Sequence, residues 1–246
     1  MRKKQQTKKK NPKSSRIAFD SPRITEVLQM HPEGVEVERM TKIVEEFAAG
    51  FHFLHGYGLA ETIFGSARAN PRSSTYQEAY KLSFQLSKQG FAIITGGGPG
   101  IMEAANKGAY DAGGQSAGLN IMLPKGQQMN RYVKDSKAFY YFFIRKVMLA
   151  FASEVYIFFP GGFGTLDEML ELTTLVETKK IDPIPIVLVG KAYWQPLLNW
   201  FEETLYRKHN AIGKEDMEIH HLVDNAKEAL ALIQEMVRSN AYERKK

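Results

Sequence analysis

The chain of 246 residues contains no cysteine. Disulfides, thiolate nucleophiles and cysteine-built zinc sites are thereby excluded. The absence fits a protein kept in a reducing compartment, so a cytoplasmic location is expected. The first residues lack the apolar core of a secretory leader. Long hydrophobic runs are also missing. The most apolar stretch, Ala138 to Phe159, is broken by Arg145, Lys146 and Glu154, so no membrane span is expected. Nor does the body of the chain carry an excess of basic charge. The formal net charge is +6, yet residues 1–16 alone hold eight Lys/Arg and no acid, and the remainder has 25 basic against 27 acidic residues. The basicity belongs to a tail, read as disordered over 1–34 with its linker, and nucleic acid is not an expected partner. His52, His55, His220 and His221 stand outside any metal-site spacing, and no nucleophile elbow or Ser-His-Asp arrangement occurs, so no metal ligands are expected.

What is present is an alternation of short apolar runs and longer helical patterns. Val37, Met40, Val44, Phe47, Phe51 and Leu54 are spaced by three and four, the stripe of an amphipathic helix that must cover the domain's own flank or a second subunit. Strands are expected at 62–67, 91–95, 116–123, 155–160 and 184–189. Crossover helices are expected at 75–88, 101–112, 138–152 and 166–179, with two more at 193–208 and 225–238. That pattern is an α/β fold: a Rossmann-like, doubly wound parallel sheet with helices on both faces and an added N-terminal helix, one domain over 35–246.

Ligands of such sheets sit beyond the carboxyl ends of the strands, near the point where strand order reverses. The glycines fall there: Gly65-Ser66 after the first strand, Gly96 to Gly100 after the second, Gly161 to Gly164 after the fourth. Neither long run is a dinucleotide fingerprint. Counted from Gly96, the sixth position is Ile101; counted from Gly162, it is Asp167; and no Walker lysine follows. Glycine turns that open a helix still present backbone N–H groups to an anion, and a single phosphate suits them. The alternative is that the glycines only supply positive φ.

Glu168 has two readings. Thr165 and Glu168 have the spacing of a capping box. On a wheel of about 100° per residue, Glu168 also lies at the border of the apolar arc, between Leu172 and Leu175, whereas Asp167 and Glu171 face away. Arg145 has Tyr141, Phe142, Met148 and Leu149 as its three- and four-apart neighbours. A guanidinium there needs an anion — phosphate, ligand or Glu168 — or must reach solvent across its aromatic neighbours.

With these residues quoted, the chain resembles the LOG-like phosphoribohydrolases, once commonly labelled lysine decarboxylases. Their hallmark P-G-G-x-G-T-x-x-E is matched by Pro160, Gly161, Gly162, Gly164, Thr165 and Glu168; their Arg-Lys pair by Arg145-Lys146; and their other glycine turn by the run from Gly96 to Ala109. The similarity spans roughly 60–190, and the tail and first helix resemble longer bacterial members. The resemblance implies hydrolysis of the N-glycosidic bond of a nucleoside 5′-monophosphate, AMP or a cytokinin riboside monophosphate, to free base and ribose 5-phosphate. It implies Glu168 beside the ribose and Arg145 orienting the substrate. Gly161, Gly162, Gly164 and Thr165 would hold the phosphate, with Ser66, Gly97 and Gly98 closing the site. It implies no metal or redox cofactor, and a homodimer or larger assembly. A nucleotide-binding or sensing protein without catalysis would use the same cradle. A lysine decarboxylase would need a pyridoxal phosphate lysine, and nothing singles one out.

Overall fold

The structure is a computed structural model that describes residues 33–122 and 129–238. The basic tail lies outside the described residues. The chain divides into two units, 1–42 and 43–246. The described part of the first, 33–42, opens helix α1 (Glu33–Leu54), where Thr41 Oγ1 donates to the Val37 carbonyl and Lys42 pairs with Glu38.

The second unit is built on seven parallel strands: β1 (Ala60–Phe64), β2 (Ala92–Thr95), β3 (Ser116–Ile121), β4 (Asp135–Phe139), β5 (Val155–Phe158), β6 (Ile186–Val189) and β7 (His220–Val223). They lie in the order β4-β3-β2-β1-β5-β6-β7. The helices between them are α2 (Ser74–Lys88), α3 (Ile101–Asp111), α4 (Phe142–Ala150), α5 (Phe163–Glu177) and α6 (Lys191–Trp200), and α7 (Ala226–Arg238) follows β7. Strands β1, β2, β3, β5 and β6 are buried along their whole length, which is why they read as largely apolar runs, with Glu61 and Thr62 in β1 and Ser116 and Asn120 in β3 among the buried polar exceptions. Residues alternate between two cores. Phe64, Ile94, Leu119, Tyr156, Phe158 and Leu188 pack under α4, α5, α6 and the 43–54 half of α1. Ile63, Ile93, Ile157 and Val187 pack under α2, α3 and α7.

Two strands were not expected. Both lie at the sheet edges and bury only part of their length. The expected helix at 138–152 is shorter, because Ala138 and Phe139 pair with Asn120 and Ile121 of β3 and the helix begins only at Phe142. Glu46 of α1 fixes the intervening turn: its carboxylate accepts the Tyr140 N–H at 2.6 Å and the Tyr141 N–H at 3.2 Å. The expected helix at 193–208 carries Pro196 within α6 and continues from Phe201 to Lys208 in wider π-helical turns.

The chain lays β1 to β4 outward in one direction, then returns to place β5 on the other side of β1. The reversal point therefore lies between β1 and β5. No helix among the described residues is long and apolar enough to cross a membrane.

Candidate functional site

Beyond the carboxyl ends of β1 and β5 opens a cavity of about 790 Å³. One wall is the β1 turn, Gly65 to Arg68; the other is Gly161 to Gly164 and the first turn of α5. The Ser66 N–H donates to the Pro160 carbonyl at 3.1 Å and joins the two walls at their base. Tyr193 of α6 steadies the second wall, its hydroxyl donating to the Gly161 carbonyl at 2.7 Å. Phe64, Phe142, Met102 and Leu166 supply apolar lining.

Helix α5 begins at Phe163 with Gly162 as its N-cap, no side-chain cap bond and no acid in its first turn. Its first N–H groups are left for a ligand or water. The first helical bond runs from the Leu166 N–H to the Gly162 carbonyl at 3.1 Å. Thr165 is thus the third residue of the helix, not its cap, and the capping box does not form. The Glu168 carboxylate accepts no hydrogen bond from the described residues and lines the cavity.

The glycines divide by purpose. Among Gly161, Gly162 and Gly164 none has positive φ. Gly161 is small because a Cβ there would drive into the Thr165 side chain, whereas a Cβ at Gly162 or Gly164 would meet nothing within 4 Å. These two positions leave empty room above an anion-attracting helix end. The second turn is different. Gly97 (φ 72°) and Gly100 (φ 70°) do use the left-handed region.

Gly97 and Gly98, expected to close the site, are not among the cavity's lining residues; the lining residue of that turn is Gly96. Their peptides are engaged elsewhere. The Gly97 N–H donates to Thr95 Oγ1 at 2.9 Å, and Asn130 Nδ2 donates to the Gly97 and Gly98 carbonyls at 3.2 and 2.9 Å. Asn106 and Thr95 complete this buried network. The reason is topological: this turn follows β2, one strand away from the reversal point.

Arg145 is 7% exposed. Its Nε donates to the Leu119 carbonyl at 2.6 Å, its guanidinium lies 5.8 Å from the Phe142 ring centre, and a Cβ on Gly96 would collide with Nη2. The terminal nitrogens meet no acceptor among the described residues. Burial holds Arg145 below the usual arginine range, with Glu168 acting in the opposite sense. Glu168 is lifted to about 7, first by burial; Arg145 lowers it, Asp167 raises it, Lys146 lowers it and Glu171 raises it. Lys146 points elsewhere, pairing with Asp167 at 2.8 Å and Glu171 at 3.3 Å. The adjacent Arg and Lys therefore separate: one enters the cavity, the other pairs with the outer acids of α5.

The structure thus gathers Ser66, Arg145, Gly161, Gly162, Gly164, Thr165 and Glu168 around one space. It adds Arg68, Gly96 and Tyr193. Arg68 stands two residues beyond a glycine turn already singled out, and Gly96 opens another; Tyr193 had no signal, since only the β6-β5 pairing brings its helix to the cavity. A near-neutral carboxyl, a buried guanidinium and an uncapped helix end form a set able to hold an anion and stabilise positive charge beside it. Among the described residues, no three His, Asp or Glu cluster in a way that would hold a metal ion.

Residues 102–233, more than half of the chain, match the family described as "Possible lysine decarboxylase". The chain belongs to this family, the LOG family. Among relatives of this LOG-family protein is a rice protein (Oryza sativa subsp. japonica) named probable cytokinin riboside 5′-monophosphate phosphoribohydrolase LOGL5. It is 27% identical over 58% of this chain and 59% of its own length. Rice LOG4, named likewise, is 28% identical over 79% of this chain and 83% of its own. The match thus spans about three fifths of the first relative and four fifths of the second. Among solved structures, the molybdenum cofactor carrier protein of Chlamydomonas reinhardtii superposes with a TM-score of 0.56 at 21% identity, covering 73% of this chain and 98% of its own. The molybdenum cofactor binding protein of Rippkaea orientalis gives 0.54 at 19%, covering 73% and 96%. These two likenesses establish a shared fold.

Proposed function

We propose that this LOG-family protein hydrolyses the N-glycosidic bond of a nucleoside 5′-monophosphate, AMP or a cytokinin riboside monophosphate, releasing the free base and ribose 5-phosphate. The observation that carries the reading is the convergence of Arg145 and Glu168 on the cavity into which the uncapped end of α5 opens. The phosphate docks on the amides at 162–164, in the room left by Gly162 and Gly164. The bond from C1′ to the base nitrogen breaks and one from C1′ to water oxygen forms. The ribose carries positive charge as the base departs, and the Glu168 carboxylate stabilises it and takes the proton that water loses. The base takes up a proton from solvent as it leaves, oriented by Arg145, and Glu168 returns the water proton to solvent. The names of the plant relatives support this substrate class. A cytoplasmic setting, where such nucleotides occur, belongs to the same reading, as does self-association.

The test is chromatographic detection of free base from AMP and from isopentenyladenosine 5′-monophosphate. Base release from either, lost by two to four orders of magnitude in Glu168→Ala with ribose 5-phosphate binding retained, is the expected result. Binding without any release would assign the cradle to a non-catalytic nucleotide-binding protein.

A further inference from the structure

The cavity holds a second guanidinium that the sequence motifs do not include. We propose that Arg68 clamps the substrate phosphate from the β1 side, opposite the end of α5, and so supplies part of the affinity for the 5′-phosphate. The proposal rests on the nucleotide reading above.

The backbone that carries Arg68 is held in place. Its N–H donates to Ser66 Oγ at 3.1 Å, and Ser66 is tied through its own N–H to Pro160 and through its carbonyl to the Ile101 N–H at 3.0 Å. A little further on, the Arg72 N–H donates to Asn70 Oδ1 at 2.8 Å. The side chain is exposed and lines the cavity. It has no carboxylate partner among the described residues, so its charge is open to a ligand of the cavity it lines.

The charge balance inside the cavity points the same way. Arg68, the buried Arg145 and the positive end of α5 face one lining acid, Glu168; Asp167 and Glu171 do not line the cavity and share Lys146 outside it. Such a space seeks a dianion rather than a neutral sugar. A guanidinium presents paired donors that match two oxygens of a phosphate, and the helix end takes the others. With the phosphate held between the two walls, Arg145 and Glu168 are left for the base and the ribose.

The experiment measures ribose 5-phosphate binding by calorimetry and the kinetics of AMP and adenosine cleavage, for the full chain and for Arg68→Ala, Arg68→Lys and Arg72→Ala. Arg72 shares the loop but does not line the cavity. Arg68→Ala should weaken ribose 5-phosphate binding by about 10- to 100-fold and raise KM for AMP equally, with kcat within about threefold and adenosine cleavage unchanged. Arg68→Lys should fall between, since it keeps the charge without the fork, and Arg72→Ala should match the unaltered protein. If Arg68→Ala binds ribose 5-phosphate as tightly as the unaltered protein, the clamp is refuted while base release from AMP keeps the nucleotide reading. An unaltered protein that neither binds ribose 5-phosphate nor releases base overturns both.

Discussion

At the scale of single residues, two side chains and two glycines decide most of what the site can do. Glu168 has a carboxyl lifted to about 7. If its ionised form is the active one, kcat/KM should be low near pH 5, rise tenfold per unit, and level off above about 7. Glu168→Gln should abolish the rise along with the activity; a flat profile through that range in the unaltered protein would refute the role. The glycines give a sharper separation of structure from function. Gly161→Ala should destabilise, since its Cβ has no room beside Thr165. Gly164 lies in the first turn of α5, faces open space, and has no positive φ. Gly164→Ala should therefore gain about 0.5–1 kcal/mol of stability from helix propensity. It should also raise KM for the nucleotide, because the added methyl occupies ligand space. Thermal melts and initial rates on one preparation check both signs. These roles were only partly legible in sequence: spacing displayed the glycines and the acid, but φ angles, which separate Gly97 and Gly100 from Gly162 and Gly164, are not written in it.

At the scale of elements, legibility followed burial. Strands buried on both faces announce themselves as apolar runs, and the five such strands were found within a few residues. Strand β4, Asp-Ser-Lys-Ala-Phe, bears its polar residues because it lies at an edge, and its last apolar pair merged in sequence with the aromatic run of α4. What separates strand from helix there is a distant residue. Glu46 satisfies the N–H groups of Tyr140 and Tyr141, an interaction across 94 positions that no local pattern reveals. Glu46→Ala should cost about 1–2 kcal/mol, read as a lower denaturation midpoint. It should also weaken substrate handling, because α4 carries Arg145. Glu46→Gln, which keeps one acceptor, should recover part of both losses.

At the scale of the whole molecule, two features call for partners or for a particular pH. The surface formed by α1 and α4 exposes Phe51, Phe143, Phe151 and Tyr140, with ring pairs Phe47–Phe143 and Phe51–Phe151 at 6.4 and 6.3 Å. Exposed aromatic rings grouped on one face are expected to be covered by association. Sedimentation should show a dimer or larger assembly, and Phe151→Glu should shift it toward monomer. The second feature is Glu61, in the middle of the sheet, fully buried, with neither carboxylate oxygen hydrogen-bonded among the described residues. Burial first, and then the neighbouring Glu154, push its carboxyl well above the ordinary value. The folded protein therefore keeps a proton that the unfolded chain releases above about pH 4.5. More protons on the folded side mean that stability falls as pH rises, by about 1.4 kcal/mol per unit, until the folded group itself ionises. Glu61→Gln removes that slope. Urea denaturation at pH 4 should find the variant and the unaltered protein equal; by pH 8 the variant should be the more stable, by a margin that has grown through the interval. Equal midpoints at both pH values would mean that Glu61 finds a partner or water in solution.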